Sequence, residues 1–138
     1  MANRLDTAAP DVIRKRMKEA VPDVIAIYQF GSTVDGTEHA QSDLDLALLA
    51  SSPLPNLDRW ALQEDLAAEL RRDVDLVDLR TASTVMQAQV LDTGTVLVET
   101  DRTARQQFEM RVCSAYALLN EERAEILEDV QTRGRVYG

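Results

Sequence analysis

With 138 residues, 45% of them hydrophobic and 28% charged, the chain has the size and balance of one soluble globular domain with a sizeable core. Fifteen Lys and Arg against 24 Asp and Glu leave a net charge of −9, which argues against broad nucleic-acid binding, since that needs clustered positive charge. The single cysteine, Cys113, excludes a disulfide framework or a thiolate metal cluster, and no apolar run reaches the length of a membrane span.

Residues 1–9 read as a loose lead-in without the apolar stretch of a signal peptide, so the expected compartment is the cytoplasm. Pro10 suits a first helical position and Asp11 the positive end of a helix dipole. Val12, Ile13, Met17 and Ala20 then form a narrow stripe that ends before Pro22, while Arg14, Lys15, Arg16 and Lys18 face water. Val24–Phe30 is rich in β-branched and aromatic residues and reads as a buried strand. Residues 31–42, with Gly31, Gly36 and many small polar side chains, are turns.

Asp43–Ala50 alternates Asp43, Asp45, Ala47 and Leu49 against Leu44, Leu46, Leu48 and Ala50, a strand with one apolar face and one face that begins acidic. A proline-rich loop leads to a helix over Leu57–Arg72, with Trp60 expected in the core. Val74–Leu79 is a third strand. A helix starting around Thr81–Ser83 stops at Gly94, and Thr95–Glu99 is a short fourth strand. From about 101 to 131 runs one long helix, followed by a frayed tail.

That helix carries Phe108, Val112, Ala115, Tyr116 and Leu119 on one stripe and Met110, Cys113 and Ala117 on an adjoining face. The first reading of the second face is core packing, with Cys113 a buried thiol and Tyr28 a core residue. The sharper reading is a partner or a second copy. Strands alternating with helices make the chain α/β, with a mixed sheet, in a single domain over 1–138.

The informative stretch is Gly31-Ser32, ten residues, then Asp43-Leu44-Asp45. Side chains two apart on a strand share a face, so the two carboxylates project together and repel unless a cation lies between them. Hard divalent ions such as Mg2+ take such oxygen ligands and share them with phosphates. A glycine-serine turn supplies backbone N–H groups and a hydroxyl to phosphate oxygens. Together they point to a metal-nucleotide site. Ser42 either contacts phosphate or merely starts the strand, and His39 reads as a solvent-exposed loop residue.

With an acidic strand around Asp75 added, the pattern resembles the DNA polymerase β-like nucleotidyltransferase superfamily, and within it the minimal nucleotidyltransferases that are antitoxin partners of HEPN-domain toxins. The resemblance covers most of 12–100 and implies the polymerase β-like fold, with the catalytic core there and the long helix appended. It implies that Gly31 and Ser32 hold nucleotide phosphates and that Asp43 and Asp45 bind two Mg2+ ions. A third carboxylate would bind the catalytic metal or help to deprotonate the nucleophile. Three aspartates compete for that place. Strand alternation favours Asp75, sets Asp73 at the strand entrance and turns Asp78 to the opposite face.

The implied activity is transfer of AMP from ATP onto a tyrosine of the HEPN toxin, with loss of pyrophosphate. The acidic surface suits docking onto a ribonuclease with a basic RNA-binding face. Two alternatives stay open: a nucleotidyltransferase for small molecules such as antibiotics, and a non-catalytic antitoxin that acts by binding alone.

Overall fold

The computed structural model describes residues 4–31 and 44–137, with side-chain surroundings from 10 to 127 within those spans. The element order is α1 (Arg4–Ala20), β1 (Val24–Phe30), β2 (Leu44–Ala50), α2 (Asn56–Leu70), β3 (Val74–Asp78), α3 (Thr84–Thr93), β4 (Thr95–Glu99) and α4 (Arg102–Tyr137). Among the described residues no helix is long and apolar enough to cross a membrane.

The sheet is mixed, as expected from a connection over residues 31–42 that carries no crossover helix pattern, with strand order β3-β2-β1-β4. β1 pairs antiparallel with both β2 and β4, whereas β2 and β3 are parallel and joined by the α2 crossover. Leu44, Leu46 and Leu48 of β2 face a cluster built with Ile13 and Met17 of α1 and Leu62, Leu66 and Leu70 of α2. Ala47 and Leu49 face a second cluster with Val90 of α3 and Phe108 and Val112 of α4. A register shift between Val24 and Ala26 lets Ile25 and Ala26 both join the second cluster. The apolar interior is therefore two layers, one on each side of the sheet.

Four expectations need correction. α1 starts at Arg4 and contains Pro10: proline lacks one donor and fixes a helix-compatible φ, and the preceding Ala8-Ala9 pair favours helix. α4 continues to Tyr137, because the single Gly134 weakens a helix by only about 1 kcal/mol and no proline follows. Trp60 is 55% exposed. The core face of α2 is set by Leu62, Leu66 and Leu70 at four-residue spacing, and a residue two positions before Leu62 lies on the far side. Cys113 is exposed: its neighbour Val112 takes the sheet-facing position, about 100° round the helix.

Tyr28 is buried as expected, and its hydroxyl donates to Glu109 Oε2 at 2.8 Å. Burial, then that bond, pushes its ionisation well above the usual tyrosine range. Arg105 bridges Glu109 and Glu99, so the start of α4 is tied to both β1 and β4. The basic face of α1 is solvated at Arg14, Lys15 and Lys18, while Arg16 pairs with Glu69 of α2.

Candidate active site

The geometry is clearest in one row across the sheet. Phe30 of β1 pairs with Asp45 of β2, and Asp45 pairs in register with Asp75 of β3. Paired residues on neighbouring strands project to the same face, about 4.8 Å apart along the hydrogen-bonding direction. The next row behind them on that face is Tyr28, Ala47 and Val77, all packed in or against the second core cluster. Two carboxylates thus stand side by side at the end of an apolar layer, Asp45 half-buried and Asp75 exposed.

Gly31 closes the row. It has φ +83°, a conformation that side chains other than glycine rarely adopt, and a Cβ built on it would lie 2.1 Å from Asp45 Oδ2. The glycine is therefore required twice, by its backbone and by the carboxylate packed against it. The direct contact between Gly31 and Asp45 is beyond what sequence spacing could show.

Of the five predicted site residues, Gly31, Asp45 and Asp75 come together at this end of the sheet. Ser32 and Asp43 lie outside the described residues, as do Ser42 and His39. The two competing aspartates go elsewhere. Asp73 is exposed at the strand entrance, where its carbonyl accepts the Leu44 N–H at 2.8 Å. Asp78 is 4% exposed on the opposite face. Its carboxylate accepts the N–H of Leu54 at 2.8 Å and of Arg80 at 2.9 Å, and its carbonyl accepts those of Thr81 and Ala82. Asp78 organises the turn before α3.

The described residues form no group of three carboxylate, histidine or cysteine ligands; they supply two, Asp45 and Asp75. That pair fits a hard divalent cation. Its donors are all oxygen and they sit on one face, with Asp45 Oδ2 packed against the bare Cα of Gly31. Sequence reading did not signal Phe30 as the apolar end of the row, although its parity with Tyr28 allows it. A separate open groove of about 590 Å³ lies between α3 and α4, lined by Val85, Gln89, Asp92, Cys113 and Tyr116 among others. It includes none of the row residues.

Residues 12–103 match the polymerase beta nucleotidyltransferase family. Protein adenylyltransferase MntA of Shewanella oneidensis is 43% identical over 118 residues, covering 86% of this chain and 84% of that protein. A crystal structure of a toxin–antitoxin with AMP-PNP contains a chain that superposes with a TM-score of 0.79 at 42% identity, over 88% of this chain and 98% of that one. A complex of the tri-AMPylated Shewanella oneidensis HEPN toxin with its MNT antitoxin gives a TM-score of 0.74 at 38% identity, over 88% and 95% of the two chains. The fold, the row at the end of its sheet and these likenesses lead to one conclusion: the chain belongs to the polymerase beta nucleotidyltransferase family, among the MntA protein adenylyltransferases.

Proposed function

We propose that the chain is an antitoxin that transfers AMP from ATP onto a tyrosine of its cognate HEPN-domain ribonuclease toxin and so neutralises it. The observation that carries the reading is the register that sets Asp45 beside Asp75, with Gly31 bare against Asp45 Oδ2. The 43% identity to a protein adenylyltransferase supports the acceptor class. The likeness to an antitoxin found with an AMPylated HEPN toxin supports the partner.

In the reaction the tyrosine oxygen attacks the α-phosphorus of ATP, the bond from that phosphorus to the bridging oxygen breaks, and pyrophosphate leaves. Gly31 and Ser32 bind the phosphates, the glycine by allowing close backbone approach. Asp43, Asp45 and Asp75 would hold two Mg2+ ions, which when bound supply charge neutralisation and in-line alignment of attacking and leaving oxygens. Asp75, the exposed member of the row, takes the phenolic proton. The apolar row of Tyr28, Ala47 and Val77 gives the carboxylates a fixed backing. The reading places the protein in the cytoplasm, with ATP and with the RNA its partner cleaves.

The test is incubation with α-labelled ATP, Mg2+ and the HEPN toxin. Label on a toxin tyrosine, lost on chelation of Mg2+, is the expected result. Label that appears on small-molecule acceptors and never on the toxin would contradict the reading.

A further inference from the structure

α4 is far longer than the sheet it packs on. Its 36 residues span roughly 54 Å at 1.5 Å per residue, against about 23 Å for a seven-residue strand. Phe108 and Val112 are 5% and 4% exposed beneath the sheet, yet every described residue from Asn120 to Leu127 is exposed.

The apolar stripe does not end where the cover ends. Val112, Leu119 and Ile126 follow at seven-residue intervals, which keeps them on one side of the helix. Along it, exposure rises from buried Val112 through half-buried Leu119 to Ile126 at 61%, with Leu127 beside it at 62%. A helix that carries such a stripe into open solvent gains little from it without a partner.

We propose that this outer half of α4 is the docking arm for the acceptor protein, and that its occupant is a basic protein; the identity of that protein as the HEPN toxin rests on the function proposed above. Charge decides between the occupants. Residues 121–125 hold Glu121, Glu122 and Glu125 against one arginine, Arg123, on a chain of net charge −9. A second copy related by two-fold symmetry about this segment sets these glutamates against their own counterparts, which is repulsive. A ribonuclease must bind a polyanion and so presents positive charge that complements them. The arm is also fixed relative to the site. Glu109 near its base holds Tyr28 of β1, and that strand ends at Phe30, next to Gly31. A protein held on α4 is therefore held in a set relation to Asp45.

Two variants of the full chain test this, Ile126→Asn with Leu127→Asn, and Glu121→Lys with Glu122→Lys and Glu125→Lys. Both alter exposed positions, so circular dichroism and AMP-PNP affinity should match the unaltered chain. Titration calorimetry against the purified HEPN toxin should show at least ten-fold weaker binding for each, with a flatter salt dependence for the lysine variant. Unchanged toxin affinity in both variants overturns the proposal while leaving the proposed function standing. No binding of the toxin by the unaltered chain removes both together. A homodimer of the unaltered chain that the Ile126→Asn/Leu127→Asn variant dissolves would assign the face to a second copy and likewise overturn the proposal.

Discussion

The third strand carries two aspartates three residues apart, and their surroundings are opposite. Asp75 is exposed, in register with Asp45 on the face that begins acidic. Asp78 is 4% exposed and spends its carboxylate and its carbonyl on four backbone N–H groups. Odd spacing along a strand puts them on opposite faces. A buried carboxylate surrounded by backbone donors holds a turn together. An exposed one in register with a second carboxylate is the one the proposed function assigns to chemistry. On the proposed function the same residue type on the same strand serves stability at one end and reactivity at the other, and substitutions should separate the two.

The largest effect belongs to the row. Asp45→Asn keeps the shape and removes the charge, so AMP transfer to the toxin should fall on the order of 1000-fold while the melting temperature stays near that of the unaltered chain. Transfer at the normal rate would break the assignment. Gly31→Ala comes next, because the added carbon meets Asp45 Oδ2 at 2.1 Å and φ is +83°. Transfer should drop about 100-fold with a loss of roughly 1–3 kcal/mol in stability, read by the same assay and by denaturant titration.

On the other end of the comparison, Asp78→Ala leaves the N–H groups of Leu54 and Arg80 without their acceptor. It should cost about 2–4 kcal/mol of stability, with little change in transfer per folded molecule. Tyr28→Phe is the smallest. It deletes the bond to Glu109, which keeps its ion pair with Arg105, so about 1 kcal/mol is expected from denaturation.

The readable part of the molecule follows from periodicity. Alternation over Asp43–Ala50 put Asp45 on the acidic face of β2, and the parity of Val74, Leu76 and Asp78 set Asp75 apart on the row's face. What periodicity could not give was decided by neighbours distant in sequence. The 2.1 Å approach of a Gly31 Cβ to Asp45 depends on how β1 pairs with β2. Cys113 and Trp60 look buried by composition, yet each sits off a stripe defined by better-placed residues, Val112 and Leu62. α4 runs past the expected end near 131 because a lone glycine, Gly134, weakens a helix only slightly.

The most direct test of the division on β3 compares Asp75→Asn with Asp78→Asn in single-turnover transfer of label from α-labelled ATP to the HEPN toxin, each rate divided by the folded fraction. The account predicts that Asp75→Asn is slower by about 100-fold and that Asp78→Asn transfers at close to the unaltered rate. Equal rates for the two, or the reverse order, would contradict it.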